Sequence, residues 1–169
     1  MESLLLNRCS ATRAHSFATT LLPDRFGWLM GLYGENHQRL ARLFAPHRLA
    51  VGEYVSSLGD GLDVRLSVQE RHPYTLELGL TYDVLDASTG NPAPSAQLRC
   101  YLDAHMTEAL HCQPGRDLWQ VLGPLAPARN VLQYRLRMNA FLNRWLEYLA
   151  EQGHSLATLE CVAPVTVAA

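Results

Sequence analysis

Residues 97–112 read "QLRCYLDAHMTEALHC", and the fold turns on whether they form strand or helix. In steps of two, Leu98, Cys100, Leu102, Ala104, Met106, Leu110 and Cys112 share a face, interrupted only by Glu108. In helical steps, Leu98, Leu102, Met106, Ala109 and Leu110 share a face as well. Propensity favours helix from Ala104 onward. Periodicity alone leaves both readings open.

The flanking sequence is less ambiguous. Upstream, "VGEYVSSL" (51–58) reads as a short strand and Gly59-Asp60-Gly61 as a turn. "LDVRLSVQE" (62–70) alternates, with Leu62, Val64, Leu66 and Val68 opposite Asp63, Arg65, Ser67 and Gln69. After a turn at Arg71-His72-Pro73, "YTLELGLTYDVL" (74–85) alternates again, and "DASTGNPAPS" (86–95) has loop composition. One apolar and one polar face per strand is the pattern of an antiparallel sheet covered on one side.

Both ends read as helical. "PDRFGWLMGLYGENHQRLARLF" (23–44) places Phe26, Met30, Tyr33, His37, Leu40 and Phe44 on one face, with Asp24 as N-cap and Pro46 as terminator. Gly31 and Gly34 inside it suggest the close approach of another backbone. "VLQYRLRMNAFLNRWLEYLAEQ" (131–152) aligns Val131, Tyr134, Met138, Phe141, Leu142, Trp145 and Leu149, with Asn130 as N-cap and Gly153 as C-terminal glycine. Residues 116–128 read as a long connection. The fold class expected is α+β: an N-terminal helix, an antiparallel sheet of four to five strands, and a long C-terminal helix packed on the sheet. Residues 1–22 read as a flexible arm, 23–154 as one domain and 155–169 as a tail. The aromatics Phe26, Trp28, Tyr33, Phe141, Trp145 and Tyr148 are expected between helices and sheet.

Composition narrows the chemistry. The chain has 169 residues, 48% of them hydrophobic, and a net charge of −2, a profile that can bury one core. All 14 basic residues are arginine. Without lysine there is no Schiff-base chemistry and no Walker-type phosphate loop. No dense basic run points to nucleic acid, and no apolar segment approaches the ~20 residues of a membrane span. "MESLLLNRCS" lacks the basic and apolar regions of a signal peptide, and Asn7-Arg8 before Cys9 does not fit a lipoprotein cleavage site. A cytoplasmic protein with reduced cysteines is expected.

Three segments together resemble the DUF1249 family of uncharacterised bacterial proteins. "RCYLDAHMTEAL" (99–110) fits its pattern Arg-x-Tyr-x-Asp-Ala-x-Met-x-Glu, and "LMGLYGENHQRL" (29–40) and "NAFLNRWLEYLAEQG" (139–153) are similar to its first and last helices. The resemblance covers about residues 24–154. Where relatives carry an acidic-basic cluster at the start of the last helix, this chain reads "LQYRLR" (132–137). Relatives carry β-branched residues within 97–112, which favours strand. A single strand of that length would span ~53 Å, so a break near Asp103-Ala104-His105 is expected. A three-residue connection would keep both halves in one parity and leave Glu108 on the apolar side. The resemblance implies no activity.

Candidate chemistry follows from these placements. Cys100, His105, His111 and Cys112 fit no zinc-ligand spacing, so neither a metal nor a cofactor is expected. A Cys100 or Cys112 nucleophile would need a neighbouring base, and apolar-face cysteines are ordinarily inert. Glu108 is a candidate acid, base or ligand anchor, or else the ion-pair partner of Arg135 or Arg137. Arg99, Tyr101 and Asp103, with Arg65 from a neighbouring strand, form a candidate polar face for a small anionic ligand or a partner protein. Glu35 and Asn36, pointing away from the apolar helix face, are candidate contacts for the sheet edge or a partner. The leading expectation is a non-enzymatic binding or interaction module. A hydrolase would instead require Glu108, Asp103 and His105 to converge, and a structural homodimer an exposed apolar patch.

Overall fold

A computed structural model describes residues 16–59, 62–84, 90, 95–112 and 122–164. Helix α1 (Ser16–Leu43) and a 3-10 turn (Pro46–Arg48) lead into strands β1 (Gly52–Ser56), β2 (Val64–Arg71), β3 (Thr75–Tyr82), β4 (Ser95–Tyr101) and β5 (Met106–His111). Helix α2 (Ala128–Gln152), a second 3-10 turn (Leu156–Thr158) and strand β6 (Leu159–Pro164) follow. The α+β architecture is the expected one, but the sheet has six strands, ordered β5-β4-β3-β2-β1-β6 and antiparallel throughout. The added strand comes from the segment read as a tail. Pro164 obscured it, yet an edge strand tolerates proline at its end.

Strict alternation builds the main core. Val64, Leu66, Val68, Leu76, Leu78, Leu80, Leu98 and Cys100 are almost wholly buried beneath Leu142, Leu146 and Leu149 of α2, Leu40 of α1 and Phe44 just after it. A second, smaller cluster joins Leu29, Leu32 and Tyr33 to Leu136 of α2, with Met106 of β5 against it. Contacts climb both helices together, from Tyr33 with Arg135, through Asn36 with Asn139, to Arg39 with Glu147. The two helices therefore lie side by side and run in the same direction.

Several local expectations are corrected. Helix α1 begins at Ser16 and runs through Pro23, so Asp24 lies inside it and is not its N-cap. Asp24 has the chemistry of an N-cap, but the helix continues through Pro23 for about two more turns on its N-terminal side. The buried face of α1 is Leu29, Leu32, Tyr33, Asn36, Leu40 and Leu43, rotated from the expected stripe. Phe26, Trp28, Phe141 and Tyr148 are exposed, while Tyr33 and Trp145 are buried as expected. Pro127, and not Asn130, occupies the N-cap of α2, whereas Gly153 ends α2 at φ 101° as its sequence position implies. The turn at residues 60–61, the loop over 85–89 and 91–94, and residues 116–121 of the connection lie outside the described residues.

The helical glycines do not serve close packing. A Cβ placed on Gly31 or Gly34 would meet nothing within 4 Å. Each glycine then only raises the entropy cost of forming α1. Gly31→Ala and Gly34→Ala are each expected to stabilise the chain by up to about 1 kcal/mol, read as a higher urea midpoint. A loss in either variant would show that something does pack there.

Candidate functional site

The β4–β5 connection decides where the candidate residues point. Tyr101 pairs with Met106, so the turn is Leu102–His105, four residues and not three. His105 closes it at φ 53°, in the left-handed region, and Asp103 Oδ1 accepts the Ala104 N–H at 2.9 Å. An even connection reverses parity. Thr107 and Ala109 stand opposite Cys100 and Leu98 on the core side, whereas Glu108 stands opposite Arg99. The expectation that Glu108 shares the apolar parity is thus corrected. A bulge around Leu110 then restores the register, with His111 opposite Gln97.

Glu108 is nevertheless buried, at 5% exposure, as are Thr107 and Ala109 on either side. Three consecutive buried residues mean that both faces of β5 are covered at this point. Strand β5 is the end of the sheet, and the helices supply the cover. Tyr33 of α1 donates its hydroxyl to Glu108 Oε2 at 3.1 Å, and Arg135 of α2 donates to the same oxygen at 2.5 Å. Tyr101 donates to Oε1 at 2.8 Å. Both carboxylate oxygens are therefore committed, and the pairing with Arg135 is one the sequence offered. Burial pushes the Tyr33 hydroxyl up to about 12, and burial followed by Glu108 raises that of Tyr101. Burial works against the Arg135 charge, but Tyr33 and Glu108 outweigh it and raise its pKa.

The network continues across the open sheet face. Arg99 Nε donates to Glu77 Oε1 at 2.5 Å, and Glu77 and then Tyr101 hold the guanidinium more firmly protonated. Arg99, Tyr101 and Glu108, the pattern residues of the 99–110 segment, thus belong to one chain of contacts from β3 to both helices. Met106 packs in the second core, and Asp103 caps its own turn. Arg65 lies two strands away and is held by both oxygens of Asp83, at 3.0 and 3.1 Å. It does not join Arg99, because its strand partner Thr81 pairs with Ser95 while that of Arg99 is Glu77.

The α1 candidates divide. Glu35 is exposed and accepts from Asn143 at 3.3 Å. Asn36 is fully buried, contrary to expectation, and donates to Asn139 Oδ1 at 3.3 Å. Asn139 Oδ1 also accepts the Ala109 N–H of β5 at 2.8 Å. Sequence reasoning missed Asn139, although Asn139 and Asn143 interrupt the buried stripe of α2 four residues apart. Polar residues inside an apolar stripe are the signal that was there to be used.

His37 approaches Thr107, with Nδ1 3.3 Å from Oγ1, and its ring lies 5.5 Å from that of His105. Burial, then His105 and His47, lower its pKa below the ordinary 6.5. The fold therefore prefers neutral His37. Its contribution is complete above the unfolded pKa and is lost as pH falls through the lower folded value. The native chain is expected to lose melting temperature more steeply between about pH 7 and pH 5 than His37→Gln, which does not titrate. Equal slopes would refute the assignment.

Nucleophilic chemistry at the core cysteines finds little support in this arrangement. Burial pushes the Cys100 and Cys112 thiols up to about 12, far from a reactive thiolate. Among the described residues, no group of three or more His, Cys, Asp or Glu is placed to hold a metal ion. No helix among them is long and apolar enough to cross a membrane. Comparison with curated proteins and with solved structures gives no match. The family described as "Protein of unknown function (DUF1249)" matches residues 39–155, well over half of the sequence, and the chain belongs to that family.

Proposed function

We propose that this chain is a non-catalytic interaction module whose contact surface lies among the exposed aromatic side chains of its helices. The observation that carries this reading is the commitment of Glu108. A general acid or base needs a free oxygen facing substrate, and here Tyr101 holds one oxygen while Tyr33 and Arg135 hold the other. Asp103 and His105 are turned to other partners, so the convergence that a hydrolase needs is missing. The anionic-ligand reading is weakened in the same way, since Arg65 and Arg99 already face Asp83 and Glu77.

Several large aromatic side chains of the helices are exposed. Phe26 and Trp28 are 56% and 59% exposed on α1. Phe141 and Tyr148, seven residues apart on one side of α2, flank buried Trp145, whose ring is 5.8 Å from Phe141 and 5.5 Å from Tyr82. Exposed aromatics backed by rigid packing are typical anchors of protein interfaces.

The test compares the native chain with Phe141→Ser/Tyr148→Ser and with Phe26→Ser/Trp28→Ser, each checked for an unchanged fold. Sedimentation reports self-association, and affinity capture from the source cell reports other partners. The expected result is one association that an aromatic pair abolishes and Arg99→Gln leaves intact. Turnover of an ester or phosphoester substrate that disappears in Glu108→Gln would overturn the proposal.

A further inference from the structure

We propose that His37 and His105 form a two-histidine site for a divalent transition-metal cation, which clips α1 to the β4–β5 turn. The two residues are 68 positions apart and meet only because the turn at Leu102–His105 folds against the middle of α1. Two imidazoles bound to one tetrahedral zinc ion at ~2.0–2.1 Å have ring centroids about 5 Å apart. The observed separation is 5.5 Å with the rings tilted by 59°, so a small side-chain adjustment suffices.

The surroundings of His37 fix which nitrogen faces the metal. Thr107 has one hydroxyl proton, and it is donated to Cys100 Sγ at 3.2 Å. Thr107 Oγ1 therefore offers only lone pairs to His37, and the contact at 3.3 Å requires the proton on Nδ1. Nε2 is then left with a free lone pair. A ligating histidine that donates its other N–H to a fixed acceptor is the usual support around a metal. Burial and the neighbouring histidines keep His37 neutral, the form that binds metal. His105 is exposed on a turn whose left-handed φ sets its side chain beside α1.

The donor set selects the class of ion. Two imidazole nitrogens suit zinc, nickel or copper, whereas magnesium and calcium take oxygen ligands. Two protein ligands leave the remaining positions to water. This site is independent of the aromatic surface proposed above.

The experiment is calorimetric titration of zinc chloride, and separately magnesium chloride, into the full chain near neutral pH. One zinc ion per chain is expected, with no binding of magnesium. His37→Ala and His105→Asn should each weaken zinc binding at least tenfold. Asparagine tolerates the left-handed turn position, so His105→Asn preserves the fold. Thr107→Val, which keeps the shape but removes the acceptor, should weaken binding roughly 10–100-fold. His72→Ala and Cys161→Ser, which alter an exposed histidine and an exposed thiol elsewhere, should bind as the native chain does. Absence of zinc binding by the native chain would overturn the proposal. So would binding that survives both histidine substitutions or that is lost in Cys161→Ser.

Discussion

Arg135→Met is expected to cost about 3 kcal/mol, because it leaves Glu108 buried without its cation. That is the lower end for a broken buried pair. It applies here because the Arg135 side chain keeps 35% of its exposure while Glu108 keeps 7%, and partial exposure weakens the pair. For a chain of this size the fall in melting temperature should be roughly 6–12 °C. Methionine replaces much of the apolar stem, so lost packing contributes little. The informative comparison is the double variant Arg135→Met/Glu108→Gln. Removing the orphaned charge should recover more than about 1 kcal/mol of the loss, as expected for directly coupled residues. In that variant the single amide oxygen accepts from one of Tyr33 and Tyr101, and the amide nitrogen donates to the hydroxyl oxygen of the other. If the single and double variants are equally unstable, the charge of Glu108 is not what Arg135 compensates, and the network is held by its hydroxyls.

This network also marks where the sequence was legible and where it was not. The sheet strands were readable because Val64, Leu66, Val68 and Leu76, Leu78, Leu80 alternate without exception. The face of α1 was misjudged for a different reason. Phe26 shares its spacing with Tyr33 and Leu40 yet is exposed, whereas Leu29 and Leu32 pack with Leu136 of α2 and Met30 lies against the same cluster. Which part of a helix face its neighbour covers is a tertiary property that periodicity does not carry. The parity of β5 depended on one residue of turn length, and His105 in the left-handed region adds that residue. Glu108 drew notice for a parity it does not have, yet it is buried, and Arg135 is one of the two partners the sequence offers for it. Tyr33 and Tyr101 were both visible, but their convergence on one carboxylate required the helices to close over the end of the sheet.

Asn139→Ala is expected to be much more damaging than Asn36→Ala, although both residues are fully buried. Strand β5 ends the sheet, so one of its edges has no neighbouring strand to accept its N–H groups. The Ala109 N–H is accepted by Asn139 Oδ1 at 2.8 Å, and the same side chain donates to the Arg135 carbonyl at 2.9 Å. Removing Asn139 leaves a buried backbone donor without a partner, a cost of about 1–3 kcal/mol. Asn36 is different. Its amide donates to Asn139 at 3.3 Å, while its own Oδ1 has no partner among the described residues. Truncating it removes an acceptor that is already unsatisfied, and Asn139 Oδ1 keeps the Ala109 N–H. Both alanine variants leave a cavity of the same size, so the cavity cost largely cancels between them. The difference between the two, about 1–3 kcal/mol, then isolates the bond that fastens β5 to α2. Hydrogen exchange at the Ala109 amide gives the local readout. Its protection should collapse in Asn139→Ala and persist in Asn36→Ala. Equal protection in both variants would mean that strand pairing, and not Asn139, shields this edge from water.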